Sequence, residues 1–184
     1  RFSSCPTDMD ENELPGKNEI KGIIVNGEFG SICAREKSGT TFELGELLVA
    51  DGPQGMSILQ VFDLLYGSQL NQQNLEMISG VRLEEDSKAH TELLDPHLRT
   101  YVLARLKSIL TLAKGKPVAP KTLPAFFAPV RELVAADVPF ISAKDKNSLF
   151  LGYLRSGSRT IDVPVHIDGI KAFSHHVLVA GTTG

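Results

Sequence analysis

The residues best suited to chemistry are the last ten, His175 to Gly184, which read HHVLVAGTTG. An apolar run, Val177 to Ala180, passes directly into Gly181, Thr182, Thr183 and Gly184. A strand that turns this tightly lets successive backbone N–H groups converge on phosphate oxygens, and glycine permits the close approach. The full phosphate-binding pattern needs a further glycine and then Lys and Ser or Thr, because the lysine meets the β- and γ-phosphates while the hydroxyl binds magnesium. With Gly181 as the first motif glycine, those partners would fall just past Gly184. Taken bare, a strand followed by Gly-Thr-Thr-Gly reads more readily as an ordinary glycine turn.

Other candidates carry less. His175 and His176 are adjacent, and neighbours on a strand point to opposite faces, so the pair is poorly placed to share one metal ion. His166 has no nucleophile near it in a recognisable arrangement and reads as structural. Cys5 and Cys33 lack metal-ligand spacing and read as free thiols. Between Pro96 and Arg131 there is no acidic residue, whereas Arg99, Arg105, Lys107, Lys114, Lys116, Lys121 and Arg131 are all basic. That stretch is either a surface for DNA phosphates or a solvated face balanced by the acidic Glu76 to Asp95 region, and the second reading is the simpler one. Aromatic residues for stacking on single strands are sparse within it.

The elements that must position these residues are short and β-like. Residues 1–18 carry Asp8, Asp10, Glu11 and Glu13 with no apolar rhythm, which predicts a flexible arm. Ile20 to Val25, closed by Asn26 and Gly27, and Ser31 to Ala34 predict a hairpin. Glu46 to Ala50, a turn at Asp51 to Gly55, and Ile58 to Tyr66 predict two further strands, the last apolar on both faces as in a small barrel. Asn71 to Ile78 has room for one or two helical turns before Gly80, and Glu84, Glu85, Asp86 and Lys88 mark an exposed loop. Tyr101 to Leu112 fits helix and strand periodicity equally. Prolines 117, 120, 124 and 129 break the following connection, with Phe126 and Phe127 as its expected anchors. Lys144 to Asn147 marks a domain edge. Beyond it, Leu149 to Leu154 and Ile161 to Ile167 read as two strands about Gly157, Gly169 to Ser174 as a short helical link, and Val177 to Ala180 as a buried strand.

Composition bounds the answer. A net charge of −3 gives the whole chain no pull on nucleic acid, so any such contact must be local. No run of roughly 18 apolar residues is present to span a bilayer, and no signal peptide opens the chain, which implies a cytoplasmic protein without a membrane segment. The chain begins at Arg1 and stops directly after a strand-like run, which reads as a fragment.

The string HHVLVAGTTG closely resembles the segment of HerA-like DNA-pumping ATPases in which a histidine opens the strand and Gly-Thr-Thr-Gly continues as Ser-Gly-Lys-Ser. Upstream, Leu151 to Phe173 (LGYLRSGSRTIDVPVHIDGIKAF) resembles the same family's approach to the motor, and the IKGIIV and ILQVFDLLY strands are loosely similar to its N-terminal HAS-barrel. The resemblance implies a mainly β chain: residues 19–147 as a small HAS-type β-barrel, and residues 148–184 as the first strands of an α/β RecA-like P-loop domain, cut within the Walker A loop. It also makes Tyr101 to Leu112 a strand. It implies, for the intact protein, an ATP- and Mg2+-dependent homo-hexameric translocase or helicase that threads double-stranded DNA in end processing and repair, with a NurA-type nuclease docked on the barrel side. Gly181, Thr182, Thr183 and Gly184 would begin the triphosphate cradle, no catalytic residue lies in this fragment, and the chain alone should not hydrolyse ATP. The alternatives are a non-catalytic barrel for assembly and nuclease docking, and a P-loop ATPase of conjugation or secretion.

Overall fold

The computed structural model describes residues 20–70, 72–84, 100–142, 146–174, 177–178 and 181. Its strands are β1 (Ile20–Glu28), β2 (Ser31–Glu36), β3 (Leu47–Gly52), β4 (Gly55–Ser68), β5 (Thr100–Ala113), β6 (Lys116–Val118), β7 (Pro129–Glu132), β8 (Ser148–Ser156) and β9 (Arg159–Asp168). Helix α1 (Gln72–Glu84) follows β4, two 3-10 turns (Ala135–Asp137 and Pro139–Ser142) follow β7, and α2 (Gly169–Phe173) follows β9. The arm at residues 1–18 and the acidic loop at residues 85–88 lie outside the described residues.

Antiparallel pairing runs β2-β1-β7-β3-β4-β5, and β5 returns to β2, so six strands close into a barrel with β6 appended to β5. Closure leaves these six without a free edge. The interior is filled by Ile24, Ile32, Leu48, Leu59, Val61, Leu106 and Val130 with smaller Ala34, Ala50, Ala104 and Ala128. A second cluster lies outside the wall, where Leu47, Val49, Ile58 and Leu112 meet Leu133, Val138, Ile161 and Val163. This explains why β3 reads as four consecutive buried residues, Leu47 to Ala50: alternate side chains enter the barrel, and the others pack beneath the β8–β9 hairpin. The mainly β barrel expected from the sequence is present. Beyond it the chain forms an antiparallel two-stranded sheet and a short helix.

Several local expectations change. Asn26 and Gly27 do not end β1; they pair with Cys33 and Ile32 of β2 just past a bulge at Val25, with Gly27 at φ 138°, and the chain turns at Phe29 and Gly30. The helix after β4 does not stop at Gly80 but runs through it to Glu84, its described side chains mostly exposed. Phe126 and Phe127 are not anchors: both are exposed, and Pro124 and Ala128 are buried in their place. Tyr101 to Leu112 is a strand. In its pairing with β4, Ile58 faces Leu110 and Leu59 faces Ser108, so Ile109 is skipped and the side-chain phase inverts there. The expected buried strand at Val177 to Ala180 is not found at its described residues, Val177 and Leu178, which are irregular and exposed. No neighbouring strand pairs with them among the described residues, and an unpaired apolar run has no ladder to hold it extended.

Candidate functional site

The glycine-threonine segment is approached through β9 and α2. Asp168 caps α2 because its Oδ1 accepts from the N–H groups of Ile170 (3.1 Å) and Lys171 (3.2 Å). The Lys171 backbone hydrogen bond, with that of Ile170 and the Lys171 charge, holds the Asp168 carboxyl below its usual range. The cap stops β9 and redirects the chain. Past α2, Gly181 is irregular and exposed, with open space where a Cβ would stand. Thr182, Thr183, Gly184, His175 and His176 lie outside the described residues. Only Gly181 of the expected phosphate cradle lies among the described residues, so no chemical step through ATP or magnesium follows from them.

The hairpin that carries this segment is tied to the barrel by polar contacts as well as by the outer cluster. Ser156 Oγ accepts from the buried Leu47 N–H at 2.8 Å. Glu43 Oε2 accepts from Ser158 N–H at 2.7 Å, and this Ser158 hydrogen bonding holds the Glu43 carboxyl below its ordinary value. Glu132 joins Arg159 (2.8 Å) to Lys21 (3.5 Å), and Lys21 in turn reaches the buried Glu46 at 2.5 Å. Glu46 is thereby compensated: its other oxygen accepts from Glu43 N–H. These pairs are far apart in sequence, so nothing local in the chain signals them.

Between barrel and hairpin, Arg131 makes a two-pronged contact with Asp137, at 2.7 and 2.8 Å. Burial alone would raise the Asp137 carboxyl. Hydrogen bonds from Arg131 and Val134 N–H, with the Arg131 charge, outweigh that and hold it below its usual value. The Asp137 hydrogen bond raises Arg131.

The basic stretch does not stay together. Arg131 is consumed by Asp137 and Arg105 faces Asp63 at 3.5 Å, while Arg99 lies outside the described residues. Lys107, Lys114, Lys116 and Lys121 are exposed. His166 sits on β9 with its ring 5.6 Å from Phe150, and its buried Nδ1 has no hydrogen-bond partner. Cys33 is a free thiol on β2, and Cys5 lies outside the described residues. Among the described residues no helix is long and apolar enough to cross a membrane.

No protein-family model matches the chain, and no curated protein is significantly similar to it.

Proposed function

We propose that this chain is the N-terminal part of an ATP-driven hexameric DNA translocase of the HerA type, with residues 19–147 as a HAS-type barrel and residues 148–184 as the opening of a RecA-like P-loop domain. The observation that carries the reading is the sequence of the last ten residues, in which an apolar run enters Gly181-Thr182-Thr183-Gly184. The closed six-stranded barrel ahead of it is compatible with the same reading. In the intact protein ATP and Mg2+ would bind at the completed loop, double-stranded DNA would be the cargo, and a NurA-type nuclease the partner. The first test is to read the parent gene past Gly184. Ser-Gly-Lys-Ser or a close equivalent is the expected continuation, followed by DNA-stimulated ATP hydrolysis that is lost when the lysine becomes alanine. A continuation without Lys and Ser or Thr overturns the reading.

A second reading, a non-catalytic assembly module, is favoured by the completeness of the barrel: its strands close on themselves between Ile20 and Glu132. Sedimentation of the 184-residue chain tests it. Self-association without nucleotide supports the module, and a strict monomer at high concentration removes its assembly role.

A further inference from the structure

One end of the barrel carries an arrangement that the motor reading does not use. It is built from the β1–β2, β3–β4 and β5–β6 turns and the 119–128 connection. Phe29, Phe126 and Phe127 are 60%, 63% and 62% exposed there. Phe126 and Phe127 touch edge to face with ring centroids 4.4 Å apart. Phe127 holds its place with φ at 62°, in the left-handed region that disfavours a bulky side chain. The backbone there is held by barrel hydrogen bonds, Phe127 N–H donating to the Ile24 carbonyl and Ile24 N–H to the Ala128 carbonyl, which seat Ala128 in the core and leave the Phe127 ring outside. Beside it opens a cavity of about 150 Å³ between Ile24, Ile32, Leu123 and Phe126, floored by Pro124. A cavity of this size admits a benzene-like ring.

The same end is positively charged. Gly52 packs on Pro124, and Gly55 lies against the backbone of Leu112 and Ala113, so the β3–β4 turn joins the cavity to the turn bearing Lys114 and Lys116. Lys121 is on the connection itself. These three lysines are exposed and form no ion pair among the described residues. Residues 114–128 (KGKPVAPKTLPAFFA) contain no carboxylate. Glu28 and Asp51 also reach this end, so it sets three lysines against two carboxylates. A peptide strand has little to add to. The barrel is closed, and the free edge of β6 is three residues long with Pro117, which has no N–H, at its centre. Exposed ring faces, a ring-sized cavity and lysines remain, the combination that takes stacked bases and their phosphates.

We infer that this end of the barrel binds single-stranded nucleic acid without sequence preference, bases stacking on Phe29, Phe126 and Phe127 and phosphates meeting Lys114, Lys116 and Lys121. The site belongs to the barrel surface and is independent of any phosphate loop after Ala180, so it survives if the motor reading fails.

Fluorescence anisotropy of the full 184-residue chain with a labelled oligo(dT) of about twenty nucleotides tests it. Binding is expected, weakening about twentyfold between about 50 and 200 mM salt, as three single-strand phosphate contacts require. Phe127→Gly is expected to weaken binding about tenfold while leaving the thermal midpoint unchanged or higher, an outcome that a merely structural phenylalanine would not give. Phe126→Ser with Lys121→Glu, a pair at exposed positions, should weaken binding and flatten the salt dependence even if the glycine variant folds poorly. Equal affinity for a duplex of the same length, unchanged binding in Phe127→Gly, or binding of poly-glutamate in place of oligo(dT) each overturns the proposal. The last result would make the surface a dock for acidic protein.

Discussion

The barrel and the β8–β9 hairpin meet the problem of a sheet edge in opposite ways. Each of the six barrel strands has a neighbour on either side, and the inner cluster is filled entirely by the barrel's own residues and the segments that plug it. The hairpin has one partner strand on each side of its turn and nothing further among the described residues. Its inner face, Ile161 and Val163, is buried on the barrel wall, whereas Phe150, Leu151 and Tyr153 on β8 are 51%, 58% and 56% exposed. A two-stranded hairpin is marginal alone. What keeps it ordered is the wall it covers, through Ile161, Val163, Ser156, Ser158 and Arg159. The dependence is mutual but unequal, because the barrel needs the hairpin only to hide Leu47, Val49 and Ile58 from water.

That asymmetry can be broken at four depths. Leu48 is fully buried inside the barrel, and Leu48→Ala should cost about 3 kcal/mol in urea unfolding. Because the hairpin has no support of its own, both sheets should then lose hydrogen-exchange protection together; a hairpin that stays protected would contradict the comparison. Ser156→Ala leaves the Leu47 N–H buried without its acceptor and should cost about 2 kcal/mol. Its exchange signature should be confined to β8, β9 and β3.

Asp137→Asn tests the junction. The pair with Arg131 is only partly buried, so after allowance for solvent screening the loss should be about 1.5 kcal/mol at neutral pH. The sign follows from the depressed carboxyl. Its stabilisation is full above the unfolded value near 3.9 and is lost as pH falls through the lower folded value, so the gap between the variant and the native chain should start to narrow as pH falls below about 4. A gap that does not narrow at all on acidification would show the effect to be packing rather than charge. Smallest, Arg159→Ala removes a half-exposed ion pair with Glu132 and a hydrogen bond to the Leu133 carbonyl, and should cost about 0.5 kcal/mol, a loss that shrinks in high salt.

Much of the barrel was legible because its turns are written locally. Asp51 to Gly55 and the Ser156 to Arg159 region separate apolar runs that pair with each other, and both hairpins formed where turn chemistry put them. Tyr101 to Leu112 resisted a periodicity argument for a physical reason. Ala104 and Leu106 face inward, but after the skipped Ile109 it is Thr111 that is buried on the inner phase while Leu110 and Leu112 join the outer cluster. A strand whose phase inverts midway matches no single template. Phe126 and Phe127 misled because an apolar pair in a proline-rich connection is usually buried, and no local pattern in the sequence marks both rings as exposed. The contacts that seat the hairpin, Glu43 with Ser158 and Leu47 with Ser156, join residues over a hundred positions apart and had no sequence signal.

The way the barrel closes also sets the order in which the protein can be made. β1 and β2 can pair as soon as both emerge, but β1 takes its other neighbour from β7, with Ile23 opposite Pro129, and β2 takes its other from β5. On a growing chain the first hairpin therefore waits, with both outer edges open, until most of the sequence has been synthesised. Such delayed, non-local pairing makes folding slow and leaves edges available to other nascent chains. β7, only four residues long, is the last stave to drop into place.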